Sequence, residues 1–257
     1  MALQRPLLDL EGFIEERDRC RDKTYESPHP VLREGFFENT NRMWDKVSGE
    51  LAFATAVSPA HRRAAITTTI VLRLAGSARE SEKPGMSGAT PLMEKAMGTK
   101  AALRAYIRKM PFSGRKTYRA VLSKETLATV APRIAKRVAK RTTARSLGSL
   151  TQRLTRYFQK ETAKLGKPRK LAFHTLQIAC DLYSLALIRV KRPSDCPLAI
   201  GSQRGLKHVR RWEDKGATIA SLAVNLGRPA HTVQTSLCAY DKYVRWSNGQ
   251  AMRPRTR

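Results

Sequence analysis

Apolar residues recur at spacings of three and four along most of this chain, a period that belongs to the α-helix and not to the strand. Over 7–23, Leu7, Leu10, Phe13 and Ile14 form one apolar stripe, with charged residues covering the rest. Pro28 and Pro30 then interrupt the pattern. Residues 31–57 read as one or two helices that turn Leu32, Phe36, Phe37, Met43, Trp44, Val47, Leu51 and Phe53 inward. Ser58-Pro59 marks the start of a further helix over 59–75. A stretch rich in Gly, Ser and Pro over 76–91 reads as an exposed loop, and short helices fill 92–110.

The second half is more regular. Leu127, Val130, Ile134 and Val138 form one stripe, and Leu147, Leu150, Leu154 and Phe158 form another, predicting a helix pair within 124–164. Residues 171–190 are nearly all apolar and too long for a strand, so they read as a buried central helix. A glycine turn leads into a helix over 199–212, and two more helices, 217–226 and 230–246, flank Gly227-Arg228-Pro229. Runs of β-branched residues such as Ile66 to Val71 are short, so strands have little support. The expected class is all-α, with a single helical core built from residues 1–75 and 171–257. Residues 76–99 form a loop and short helix, and residues 100–170 a strongly basic helical flank.

Charge sharpens that division. The whole chain of 257 residues carries a net charge of +28, and residues 1–50, with 8 basic and 11 acidic side chains, contribute none of it. Residues 100–170 hold 21 basic and only 2 acidic side chains, a net of +19. Such a concentration calls for a polyanionic partner, with nucleic acid the first choice and an acidic lipid surface the second. Arg133, Lys136, Arg137, Lys140 and Arg141 fall mostly off the apolar stripe and are the expected DNA-backbone contacts. Four cysteines, Cys20, Cys180, Cys196 and Cys238, lie far apart, which fits free thiols in a reducing compartment. No run approaches the ~18 apolar residues of a membrane span, so no membrane partner is expected.

Several residues could carry chemistry. Asp181 sits inside the apolar 171–190 segment with Gln177 and His174 one and two turns earlier. A carboxylate there serves as an acid or base, or else pairs with an arginine of a neighbouring helix. Asn39, Arg42 and Asp45 fall on one helical stripe beside Phe36, Phe37 and Trp44, which suits a flipped base as well as a helix tucked against the core. Trp212, Tyr240, Tyr243 and Trp246 allow the same two readings. Gly201, Ser202, Arg204 and Gly205 could present backbone amides and a cation to phosphate, in the manner of a glycosylase-like DNA-binding hairpin. Asp241, Lys242, Tyr243 and Arg245 form a compact polar group near the end of the chain. Residues 218–246 also fit a helix-turn-helix: Ala223, Gly227 and Val233 have its spacing, and Thr232, Gln234 and Thr235 would reach base edges. No cofactor is evident, since the chain has no phosphate-binding Gly-x-x-x-x-Gly-Lys-Ser/Thr, no zinc-type spacing and no Gly-x-Ser-x-Gly.

Five of these segments, taken in order, carry a resemblance. Leu237, Cys238, Lys242, Tyr243, Arg245, Gly249 and Arg255 follow a Leu-Cys-Glu-Phe-x-Lys-Tyr-x-Arg block with a Gly- and Arg-containing tail, and Ala199 to Leu206 follow a Gly-Pro-Gly-Ser-x-Arg-Gly-Leu segment. Upstream lie Glu16-Arg17, Pro30-Val31-Leu32 and Phe37-Glu38-Asn39-Thr40-Asn41-Arg42-Met43-Trp44-Asp45-Lys46-Val47. Ala105-Tyr106-Ile107 and Gln177 to Leu182 add two echoes. From about Phe13 to Arg255 the chain resembles the alpha-glutamyl/putrescinyl thymine pyrophosphorylases, the helical domain found with 5-hydroxymethyluracil DNA kinases of phage DNA hypermodification. It departs from them at Ala239, where the family has glutamate, at Ala199 and Ile200, where it has glycine and proline, and at His29, where it has aspartate.

The resemblance implies a transferase that acts on a 5-hydroxymethyluracil-derived thymine position in duplex DNA, displacing an activating phosphate or pyrophosphate. On that reading Asp181 or Asp45 is the base, and Arg42, Lys242 and Arg245 neutralise the leaving phosphate. The Gly201–Arg204 segment holds the strand. It also implies a separate 5-hydroxymethyluracil DNA kinase as partner and the cytoplasm of an infected bacterial host as location. Ala239 leaves a second reading open, a non-catalytic DNA-binding protein that is either an inactive family member or a helix-turn-helix regulator.

Overall fold

The computed structural model describes residues 5–20, 24–29, 32, 58–75, 90–110, 122–166, 168 and 171–250. Most of the described chain is helical, in ten helices and two short strands. It divides into two compact units, one of residues 1–39 and 193–254, the other of residues 40–192 and 255–257. Two units thus account for the fold where the hydrophobic pattern predicts one core.

The first unit contains α1 (Leu10–Arg19), α8 (Ile200–Trp212), α9 (Ile219–Asn225) and α10 (Ala230–Ser247). Asp9 caps α1 by accepting from the Gly12 amide at 2.8 Å, satisfying a first-turn donor. Of its expected stripe, Leu10, Phe13 and Ile14 are buried, while Leu7 lies outside the helix and is 80% exposed. Their cluster includes Leu206, Val209, Leu237, Tyr240, Tyr243 and Val244. Phe13 stacks on Tyr243 with ring centroids 5.1 Å apart. α10 is the central helix of this unit, and no residue from Ala230 to Trp246 is exposed.

The second unit contains α2 (Pro59–Ala75), α3 (Thr90–Met97), α4 (Lys100–Lys109), α5 (Lys124–Ala139), β1 (Thr143–Ser146), α6 (Leu147–Ala163), α7 (Ala172–Ser184) and β2 (Arg189–Arg192). The two stripes expected over 124–164 are both fully buried, on α5 and α6. Ser123 and Ser146 cap these helices, each accepting from the amide three residues on.

Two expectations are corrected here. The apolar segment 171–190 is not one helix: α7 stops at Ser184, Ala186 takes a left-handed φ of 53°, and the chain continues into β2. Strands also exist: β1 and β2 pair in parallel, with Thr143 opposite Arg189, Ala144 opposite Val190 and Ser146 opposite Arg192. Each strand has four residues, too few for periodicity to reveal.

Candidate functional site

A buried polar arrangement of the first unit lies between α8 and α10. Small residues on α8 let the two backbones approach: a Cβ on Gly205 would stand 2.0 Å from the Leu237 carbonyl oxygen. Gly201 faces Cys238 in the same way, its Cβ position falling 2.5 Å from Sγ. Along this close crossing lie three polar side chains of α10, one per turn. Gln234 Nε2 donates to Ser202 Oγ at 2.8 Å, with both residues buried. Cys238 follows, and burial pushes its thiol above the usual range. Asp241, only 1% exposed, then accepts from Arg204 Nε at 3.1 Å and pairs with His208 Nε2 at 3.2 Å.

The Asp241 cluster has the parts of an oriented acid–base pair. The buried carboxylate holds the His208 imidazole through Nε2 and so fixes the orientation of the ring. Arg204 supplies a cation whose side chain is 51% exposed, so an anion from solvent can reach it. His208 stacks on Trp212 at 5.2 Å between ring centroids, and the Arg211 guanidinium lies 5.1 Å from the Trp212 ring centre. The Cys238 thiol, held protonated by burial, is poorly suited to act as a nucleophile here.

Several sequence expectations change at this seam. Gly201 to Gly205 is not a turn but the first part of α8, and its glycines serve helix contact. Ser202 is fully buried, accepts from Gln234 and donates to the Ala199 carbonyl at 3.2 Å, so its hydroxyl is spent inside the fold. Tyr243 is core, not a phosphate ligand: its hydroxyl accepts from the Leu8 amide at 3.2 Å while its ring lies against Phe13. Asp241 turns to Arg204 and His208, and Arg245 Nε donates to Gln250 Oε1 at 3.0 Å. Lys242 is half-buried on α10.

The helix-turn-helix reading also changes. α9, the turn with Gly227 at φ 58° and α10 have its outline. Yet α10 is enclosed by its own unit, and Gln234 is committed to Ser202. Thr232 and Thr235, the other residues expected at base edges, are half-buried.

Asp181 belongs to the other unit, and it takes the paired alternative. Arg73 of α2 grips it through Nε at 2.7 Å and Nη2 at 2.6 Å, a two-pronged ion pair. Burial raises the Asp181 carboxyl, opposed by the Arg73 charge and hydrogen bonds. Burial, with the charge of the same arginine adding to it, lowers the basicity of His174, one residue of the stripe expected beside Asp181.

The expected DNA-contacting cations divide. Glu161 of α6 is 1% exposed and sits among Arg137 at 2.8 Å, Lys164 at 3.2 Å and Arg133 at 3.6 Å. Arg133 and Arg137 therefore hold α5 to α6 around a buried carboxylate. Lys136, Lys140 and Arg141 are exposed. Asn39, Arg42 and Asp45 lie outside the described residues.

Sequence reasoning did not single out Arg73, Glu161 or His208. Glu161 was findable as one of only two acids among 21 basic residues in 100–170. His208 stands four residues after Arg204, a helical spacing that already places both on one face. Among the described residues no group of His, Cys, Asp and Glu could hold a metal ion, and no helix is long and apolar enough to cross a membrane. Comparison with protein-family models, with curated proteins and with solved structures finds no match.

Proposed function

We propose that this chain is a DNA-binding protein whose basic second unit holds the phosphate backbone. The net charge of +19 over residues 100–170 carries this reading. Charge at that density draws counterions from a nucleic acid and makes binding steeply dependent on salt. The direct test is fluorescence anisotropy of a labelled duplex over a KCl series. Affinity that falls linearly on a log–log plot supports the proposal. Absence of binding at low salt rejects it.

A second reading concerns chemistry on the bound DNA, and the Asp241–His208–Arg204 cluster favours it. Modification at a 5-hydroxymethyluracil-derived thymine position, as the family resemblance implies, needs a base and a cation near a leaving phosphate. His208 oriented by Asp241, with the accessible Arg204 beside it, has both. This moves the proposed base from Asp181, which is tied to Arg73, to the α8–α10 seam. The test is mass spectrometry of nucleosides from 5-hydroxymethyluracil duplex DNA, phosphorylated by a cognate kinase and incubated with the protein and an amine or amino-acid pool. A new heavier nucleoside, lost with His208→Asn while DNA binding persists, supports it. Unchanged nucleosides leave the binding protein alone.

A further inference from the structure

The β1–β2 ribbon is an unexpected element, and it collects cations from two distant segments. Parallel pairing places side chains of matched positions on the same face, and successive residues on opposite faces. Ala144, Ser146 and Val190 are buried, which fixes their face as the inner one. Thr143, Arg145, Arg189 and Lys191 then share the outer face, and all four are exposed. The register sets Arg145 beside Lys191, with Arg189 diagonal to Arg145 and two residues before Lys191 on β2. Arg141 just before β1 and Arg192 at the end of β2 are exposed as well.

This arrangement has an electrostatic cost. Adjacent strands are about 4.8 Å apart, and like charges directly opposite one another destabilise a sheet. Among the described residues none of these five cations forms an ion pair, in contrast to Arg133 and Arg137 at Glu161. The ribbon is nonetheless braced from behind. Arg153 of α6 donates to the Arg141 carbonyl at 3.3 Å and to the Thr143 carbonyl at 3.2 Å, fixing the path of the chain into β1. A braced two-stranded platform thus holds like charges side by side, a surface suited to an external anion.

We propose that the outer face of the β1–β2 ribbon, through Arg145, Arg189 and Lys191, is the principal contact of this chain with the phosphates of duplex DNA. The inference rests on the DNA-binding reading above and deepens it. It moves the contact from the α5 cations expected from the sequence to a surface that exists only in the fold.

The test compares two triple variants in the anisotropy assay. Arg145→Gln/Arg189→Gln/Lys191→Gln removes the ribbon cations. Arg5→Gln/Arg19→Gln/Lys215→Gln removes three charges from exposed positions of the first unit. Each phosphate contact contributes about 0.9 to the slope of log affinity against log salt, so the ribbon variant should lose roughly 2–3 units of slope. Its affinity should fall at least ~10-fold at ~100 mM salt, while the control keeps a slope within ~0.5 of the unmodified protein. Equal losses in both variants, or an unchanged ribbon variant, overturn the proposal and leave DNA binding standing. No binding by the unmodified protein overturns both readings. Anionic vesicles bound through the ribbon in place of DNA overturn it in favour of a lipid surface. If the triple variant loses its helical circular-dichroism signal, the three single substitutions are measured instead. Each is then expected to lower the slope by about 0.9, and three unchanged slopes overturn the proposal.

Discussion

Gly205 and Leu237 lie in backbone contact: a methyl group on Gly205 would fall 2.0 Å from the Leu237 carbonyl oxygen, well inside any tolerable separation. That approach sets how closely α8 and α10 cross, and with it the reach of Arg204 and His208 to Asp241.

Gly205→Ala should therefore destabilise the first unit by about 3 kcal/mol, at the upper end for overpacking a core. Alanine's better helix propensity recovers only about 1 kcal/mol. Gly201→Ala differs in kind, because its obstacle is the Cys238 thiol, a side-chain atom that can rotate away. It should change stability by less than about 1 kcal/mol. Chemical denaturation of both variants checks the contrast, and a loss at Gly205 as small as that at Gly201 would mean the helices can separate without penalty.

Arg73→Gln should be severe. It leaves the buried Asp181 carboxylate without its two-pronged partner, an effect of about 3–5 kcal/mol. The variant should also gain stability on acidification. Without Arg73, burial alone acts on Asp181 and holds its folded-state pKa above the unfolded value of about 3.9. The folded state then binds the extra proton, so stability falls as pH rises through the window above about 4 and returns as pH drops. Denaturation midpoints across that range test the sign. A double change, Arg73→Met with Asp181→Leu, should restore most of the loss, as replacing a buried pair by apolar groups often does.

The contrast between Asp181 and the α5–α6 stripes shows where sequence reading works here. Leu127, Val130, Ile134 and Val138 are all fully buried, as are Leu147, Leu150, Leu154 and Phe158, because an amphipathic period is local information. Asp181 was visible as an anomaly, but its partner lies 108 positions away and no local pattern names it. Gly201 and Gly205 looked like a turn because glycine permits either conformation. What decides for helix is the close passage of α10, a tertiary fact. The ribbon was invisible for the same reason: Thr143–Ser146 and Arg189–Arg192 carry no strand signature until they meet. Charge was legible as a total, whereas its sorting into paired and unpaired cations was not.

Glu161 tests that sorting. Glu161→Gln should cost about 2 kcal/mol, since a hydrogen bond to a charged group contributes about 1.5–3 kcal/mol. Arg137→Gln should likewise lower the melting temperature, while leaving the salt slope of DNA binding unchanged within ~0.5. A DNA-contacting arginine behaves in the opposite way, with about 0.9 units of slope lost and little change in stability. Measuring both quantities on Arg137→Gln separates a residue that holds α5 to α6 from one that holds DNA.

The tyrosine pair on α10 predicts an alkaline limit for the first unit. The Tyr240 hydroxyl shares its one proton between Glu213 Oε1 at 2.8 Å and the Leu8 carbonyl at 3.1 Å, tying α10 to α8 and to the chain just before α1. Burial raises the Tyr240 phenol far above its ordinary value, with the nearby Glu213 charge adding to it. Burial also raises Tyr243. Both phenols stay protonated in the folded state at a pH where unfolded tyrosines, with a pKa of about 10, have ionised. Folding stability is then fully present below about pH 10 and is lost as pH rises beyond it. In an alkaline titration followed by tyrosinate absorbance, Tyr240 and Tyr243 should ionise only together with the loss of helical circular dichroism. Tyr240→Phe removes one of these raised phenols. It should cost about 1–2 kcal/mol at neutral pH, because the Leu8 carbonyl and Glu213 lose their donor. It should also move the alkaline unfolding midpoint upward relative to its own neutral-pH stability. A midpoint that stays with the unmodified protein's pH dependence would show that Tyr240 does not set the limit.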